Sequence, residues 1–264
     1  MSRMKEEGPP VAYETAGPRA TITLNQPDRR NPLSVDTMAA LLAHTRTAQA
    51  DAAVRVIVYT GAGDRAFSAG GDLASGFVDD PVGQHRARGY LAELLRAMWR
   101  GGKPTVARVN GHALAGGFGL AVACDITICV EDARLGTPEI DVGLWPMMIT
   151  VPLLRAMSAK AVLDLLMTGR VITPAEALGL GAITRVVSRQ DLDQAVDEAV
   201  AALAAKSPAA LQLGRDALFA AAWLDVDAAL DYLQGGLTAV ALTEDSREGV
   251  TAFIEKRPPR WSGR

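Results

Sequence analysis

The chain has 264 residues, 49% of them hydrophobic and 22% charged, which is the balance of an ordinary globular protein long enough to bury a substantial core. A net charge of −3 gives no bulk attraction to nucleic acid or anionic lipid, and no apolar run nears the ~18 residues of a membrane span, so neither nucleic acid nor membrane is expected as a partner. The polar, proline-ended start, residues 1–10, reads as a loose tail rather than a signal peptide, and a cytoplasmic location is expected.

In chain order, residues 11–14 and 21–24 alternate as paired strands joined through Ala16-Gly17-Pro18-Arg19. Ser34 is placed to cap a helix with Met38, Leu41, Leu42 and Thr45 on one face. Residues 54–59 are almost continuously apolar, as in a strand covered on both faces. Residues 74–84 read as a mobile loop, and a helix is expected over 85–99. Strands at 105–109 and 126–130 bracket a glycine-rich helix, so the core is α/β. Beyond Gly136 the pattern turns helical. Thr173-Pro174-Ala175-Glu176 joins a cap, a first-turn proline and a capping-box glutamate. Leu192, Ala195, Val196, Ala199, Val200 and Leu203 form a helical stripe, Ser207-Pro208 starts another helix, and residues 225–243 give a long one with Leu230, Leu233, Leu237 and Val240. The last ~60 residues hold helices and no convincing strand, an added layer whose apolar stripes face either the core or a neighbouring subunit.

Two small-residue turns carry the chemistry. Gly111-His112-Ala113-Leu114-Ala115-Gly116-Gly117-Phe118-Gly119 runs from a turn into a helix, whose first N–H groups lack acceptors within the helix. Phe67-Ser68-Ala69-Gly70-Gly71-Asp72-Leu73 is a second such turn, and together they can offer two backbone N–H groups to one developing oxyanion. Cys124 and Cys129 read as free core thiols, and His44, His85 and His112 are scattered, so no metal site is expected. Ser68 invites a serine-hydrolase reading, but Ala66 stands where a nucleophile elbow needs glycine, and no histidine has a place beside it. Residues 111–119 lack the Gly-x-Gly-x-x-Gly spacing of a dinucleotide site.

These blocks resemble the enoyl-CoA hydratase/isomerase, or crotonase, superfamily. The likeness runs from Thr23-Leu24-Asn25-Gln26-Pro27-Asp28-Arg29-Arg30-Asn31-Pro32-Leu33-Ser34, through both glycine turns and Gly136-Thr137-Pro138-Glu139-Ile140, to the ending Phe253-Ile254-Glu255-Lys256-Arg257-Pro258-Pro259-Arg260-Trp261. The resemblance implies an α/β crotonase-like spiral of strand–strand–helix (ββα) turns with a C-terminal helical trimerisation region. The division expected is a spiral core with the acyl-CoA site over residues 1–200 and a helical oligomerisation region over 201–264. It also implies an acyl-CoA thioester substrate, no cofactor beyond the coenzyme A of that substrate, and a homotrimer or homohexamer. In the family pattern the oxyanion hole comes from the N–H groups matching Ala69 and Gly116 here.

The family's hydratases use two glutamates. One matches Glu139, and the other falls at Gly119. A single carboxylate suffices for a proton shuttle between two carbons, which is how the family's Δ3,Δ2-enoyl-CoA isomerases are arranged. Glu139 is therefore expected as general base and acid, in an apolar pocket that raises its pKa. A hydratase using Glu139 with a substitute water-binding group, and a non-catalytic acyl-CoA binder, are the competing readings. Asp141, two residues on, is expected to face another way. Gly119 either enlarges the pocket or makes room for a bulky acyl group, and Leu144, Trp145, Met147 and Met148 offer an adaptable apolar wall. Ser68, Gly70, Asp72, Leu73 and Gly117 are expected around the substrate, with Asp72 and Asp125 also fitted to brace the turns. Arg29 and Arg30 match a basic position beside the nucleotide, and Phe253 and Lys256 match residues that reach coenzyme A, often from the adjacent subunit.

Overall fold

The computed structural model describes residues 8–72 and 80–264. Val11–Ala16 (β1) and Arg19–Leu24 (β2) form the expected antiparallel hairpin, turning at Gly17 with φ of +57°. Pro32–Leu33 (β3) leads into the helix Val35–Ala50 (α1), capped by Ser34, whose hydroxyl accepts the Thr37 N–H at 3.1 Å. Met38, Leu41, Leu42 and Thr45 are all buried, as the periodicity requires. Val56–Gly61 (β4) is buried at every residue, and Ala66–Ser68 (β5) and Gly70–Gly71 (β6) follow it. The next helix, Pro81–Arg100 (α2), begins four residues earlier than the expected 85, and most of the anticipated 74–84 loop lies outside the described residues.

Thr105–Val109 (β7), His112–Leu114 (β8), Gly116–Ala123 (α3), Ile126–Val130 (β9) and Leu135–Gly136 (β10) then alternate tightly. A short 3-10 turn, Pro138–Val142, precedes the helices Thr150–Ala156 (α4) and Ala159–Thr168 (α5). Val171–Ile172 (β11), Pro174–Gly179 (α6) and Arg185–Val187 (β12) complete the sheets. Thr173 caps α6 as its capping-box pattern demands. Four helices close the chain: Leu192–Ala204 (α7), Pro208–Ala221 (α8), Val226–Ala241 (α9) and Glu244–Glu255 (α10).

The main sheet runs β1-β2-β4-β7-β9-β12, parallel throughout except for the opening hairpin. A smaller sheet, β11-β10-β8-β5, carries β5, β8 and β10, which follow β4, β7 and β9 of the main sheet, and β3, which follows β2, pairs with β6. Each step from one sheet to the other and back through a helix is one ββα turn of a spiral. α7 covers β7 and β9 with the stripe Leu192, Ala195, Val196, Ala199 and Val200, while α1 packs on α2 and α3 on α4. Two free thiols, Cys124 and Cys129, are buried here, and burial pushes the Cys129 thiol up to about 12, so both are inert core groups. Asp125 ties the last layer to the sheet: its carboxylate accepts from the Thr105 N–H at 2.6 Å and from Arg215 of α8 at 2.9 Å. The stripe on α9 differs from the rest, because Leu230, Leu233 and Leu237 are all exposed.

Among the described residues no helix is long and apolar enough to cross a membrane.

Candidate active site

The two glycine turns touch backbone to backbone. Gly70 has φ of +89°, and a Cβ there would lie 2.4 Å from Ala115 Cβ and 3.2 Å from the Gly116 nitrogen. A Cβ on Gly117 would meet Ser68 Cβ and its carbonyl oxygen at 2.6 Å. Gly70, Gly117 and the fully buried Ser68 therefore pack the turns together, and do not form a wall of the cavity described below. The Ser68 hydroxyl accepts the Gly70 N–H at 3.2 Å, which gives it a structural task and no nucleophilic one.

The expectation for Ala69 needs correction. Its N–H donates to the Arg30 carbonyl at 2.9 Å, so it is not available to an oxyanion even though Ala69 lines the cavity. Gly71, two residues on, lines the same cavity. Opposite it, Gly116 is the first residue of α3, where an N–H has no acceptor within the helix and the helix dipole favours negative charge.

Two asparagines hold this arrangement. Asn31, fully buried with φ of +55°, donates to the Ala62 and Ala66 carbonyls and accepts the Gln26 N–H. Asn110 donates to the Gly61 and Gly63 carbonyls. Asparagine tolerates the left-handed conformation better than other side chains, and its amide reaches both strand ends. Asn31→Ala is expected to cost about 2–3 kcal/mol in denaturant unfolding, since it strands buried carbonyls. Arg29 donates to Asp72 at 2.7 Å, and Asp72 is only 8% exposed, so the pair anchors the loop entering the site. Arg30 is exposed beside it, with its backbone joined to the Ala69 wall. Leu73 lies outside the described residues.

A cavity of about 490 Å³ opens between the turns and the Pro138–Val142 segment. Glu139 lines it, half-buried on a 3-10 turn that starts at Pro138. Its Oε2 is buried with no hydrogen-bond partner. Burial raises the carboxyl from 4.5 to about 7, against the opposite pull of a hydrogen bond from its own backbone. A carboxyl poised near neutrality in an apolar cavity is the profile of a general acid–base group. Leu144, Trp145, Met147 and Met148 form the apolar wall, with Trp145 and Met147 exposed toward solvent. Asp141 also lines the cavity, although its position two residues from Glu139 suggested that it faces elsewhere.

Gly119 opens no space. A Cβ there would lie 2.1 Å from Ile149 Cγ2 and 2.3 Å from its Cβ. Ile149, 2% exposed, fills the volume that a side chain at 119 needs, and Ile149 itself presents the cavity surface. Sequence reasoning missed this partner because residues thirty apart carry no joint signal. Phe253, 84% exposed, and Lys256 do not line the cavity. His112 Nδ1 accepts the Arg134 N–H, and no group of histidine, cysteine or carboxylate side chains among the described residues is arranged to hold a metal.

A family model described as enoyl-CoA hydratase/isomerase matches residues 16–264. A Thermus thermophilus protein, provisionally named an enoyl-CoA hydratase, is 39% identical over 250 residues, covering 92% of this chain and 96% of its own. A Salmonella typhimurium protein named carnitinyl-CoA dehydratase is 33% identical over 253 residues, covering 94% of this chain and 96% of its own. The crystal structure of a Mycobacterium smegmatis enoyl-CoA hydratase matches with a TM-score of 0.91 at 31% identity, over 96% of this chain and 99% of that one.

Proposed function

Because this chain belongs to the enoyl-CoA hydratase/isomerase family and has its crotonase fold, we propose that it shifts the double bond of an unsaturated acyl-CoA thioester by a proton shuttle on Glu139 alone. The Glu139 carboxylate takes a proton from C2 of a 3-enoyl thioester. The electron pair moves through the carbonyl to give a dienolate, with charge on the thioester oxygen, and the protonated Glu139 returns its proton to C4. The product is the conjugated 2-enoyl thioester. Gly116 and Gly71 supply the two N–H groups for the oxygen, with Gly71 taking the place expected of Ala69. One such donor is worth about 2.7–4 kcal/mol in the transition state.

The observation that carries this reading is the Gly119–Ile149 contact. Where a second carboxylate would hold water, an isoleucine side chain stands, so among the described residues lining the cavity Glu139 is left as the one carboxylate with a buried, unpartnered oxygen. The names of the relatives, hydratase and dehydratase, favour water addition or removal instead. That second reading needs a water-holding group, and Asp141 is the other carboxylate among the described residues on the cavity wall. Incubation with 3-enoyl-CoA and, separately, with 2-enoyl-CoA distinguishes the two. Double-bond migration without a hydroxyl at C3 supports the shuttle, and a 3-hydroxyacyl product overturns it. Binding with no turnover, unchanged by Glu139→Gln, would mark a non-catalytic acyl-CoA binder.

Arg29 and Arg30, which do not line the cavity, are assigned to the phosphates of coenzyme A, which call for guanidinium groups. Phe253 and Lys256 are assigned to a neighbouring subunit's ligand in a homotrimer or homohexamer. The exposed apolar residues Leu230, Leu237, Phe253 and Ile254 support a helical oligomerisation region over 201–264, set apart from the core over 1–200. Gel filtration with light scattering is expected to give three or six chains per particle.

A further inference from the structure

A second cavity, of about 600 Å³, lies between α2, α4 and α8, and Met148 is the one described residue that lines both it and the catalytic cavity. Its far side is unusual. The Arg155 guanidinium sits over three aromatic rings, 5.0 Å from Trp99, 5.4 Å from Phe219 and 5.6 Å from Trp223. Trp99 is itself fixed by its indole N–H, which donates to the Ala123 carbonyl at 3.1 Å. Ring contacts of this kind engage the flat faces of a guanidinium and leave its in-plane N–H groups for a hydrogen-bond acceptor. Arg155 Nε is buried with no such acceptor. Asp216, which lines the same cavity, has a buried Oδ1 with no donor, and neither side chain acts on the charge of the other. Arg96 and Arg100 also line the cavity, Arg96 being held by Glu93 at 2.6 Å.

A cationic and an anionic side chain that line one cavity without pairing to each other leave both charges for a ligand to meet. The complement is a group that accepts from a guanidinium and donates to a carboxylate. We infer that the second cavity receives the far end of the acyl group, past Met148, and that this end carries a carboxyl. Its oxygens accept from the Arg155 guanidinium, and one proton is shared with the Asp216 carboxylate, so that two neighbouring carboxyls carry a single negative charge beside the arginine. Met148, unbranched and flexible, is a side chain that can swing to join the two spaces. This inference rests on the acyl-CoA reading of the catalytic cavity, but not on which reaction occurs there.

Unreactive saturated CoA thioesters test it by calorimetry on the full-length protein. One series ends in methyl, the other in carboxyl, each lengthened one methylene at a time. At the length that reaches Arg155, the carboxyl-ended thioester is expected to bind at least about tenfold more tightly than its methyl-ended counterpart, the effect of one hydrogen bond to a charged group. Arg155→Gln is expected to abolish that preference, and Asp216→Asn, which still offers a donor to a carboxylate, to keep it. Equal or tighter binding of the methyl-ended thioesters at every length overturns the inference. So does a preference that survives in Arg155→Gln, or a free dicarboxylic acid that binds as tightly as its thioester. If Arg155→Gln does not fold, the two wild-type series decide alone. A failure of double-bond migration would refute the proposed reaction and leave these binding results untouched.

Discussion

Glu139→Gln is expected to lower kcat/KM for double-bond migration by about 10²–10⁴-fold, the range that a positioned acid–base group supplies. Glutamine keeps the shape and removes the proton traffic, so substrate binding should change little. The same change is expected to stabilise the protein at neutral and alkaline pH. Burial raises the Glu139 carboxyl from 4.5 to about 7, which means that the fold prefers this group protonated. Between about pH 4.5 and 7 the folded chain then binds more protons than the unfolded one, and the stability from this group falls as pH rises through that window. The full shift corresponds to roughly 3 kcal/mol at 1.36 kcal/mol per unit, and partial access of water reduces this to about 1 kcal/mol. At pH 8, Glu139→Gln should therefore melt about 2–4 °C above the parent while being nearly inactive. The parent's kcat/KM should rise with pH through about 7, because the free enzyme must present the carboxylate form. Loss of stability in Glu139→Gln at pH 8, or a rate flat from pH 5 to 9, would contradict the assignment.

Gly119→Glu is expected to destabilise the fold by about 4 kcal/mol or more, read by denaturant unfolding. The new Cβ would lie 2.1 Å from Ile149 Cγ2, and the carboxylate beyond it would be buried without a partner. Ile149→Ala would not relieve the clash, since the Ile149 Cβ itself lies 2.3 Å from that position. Ile149→Gly would. In combination the two substitutions should be strongly coupled, with the double variant more stable than the sum of the single effects predicts. The double variant is also expected to gain a hydrated product from 2-enoyl-CoA, because a second carboxylate and a space beside it can hold water opposite Glu139. Simple additivity of the two changes would show that Ile149 does not occupy this volume in solution.

Much of this arrangement is legible in the sequence, and the reasons are local. Ser34, Thr173 and Ser207 cap helices because a hydroxyl at that spacing reaches the N–H three residues on. The continuous apolar residues of Val56–Gly61 mark a strand covered on both faces. Glu139 stands out through its motif, and the cavity around it follows from the apolar run after Leu144. What the sequence hides depends on contacts between distant segments. Which amide of the 67–72 turn is left over is decided by pairing with residues 30–33, and that pairing engages Ala69. Gly119 suggests open space until Ile149 is seen to fill it. The Leu230–Leu237 stripe has the same period as a core helix, so periodicity alone does not tell a buried face from the exposed one found here. Arg155 has no local mark at all, since its three aromatic neighbours come from α2 and from α8 and the residues just after it.

The central claim is that one carboxyl carries one proton between two carbons. A 3-enoyl-CoA deuterated at C2 tests it directly, with the product isolated after a single turnover. The shuttle predicts a 2-enoyl thioester with part of the deuterium now at C4, and no such transfer in Glu139→Gln. A product bearing a solvent-derived hydroxyl at C3, or label transfer that persists without the Glu139 carboxyl, would contradict it.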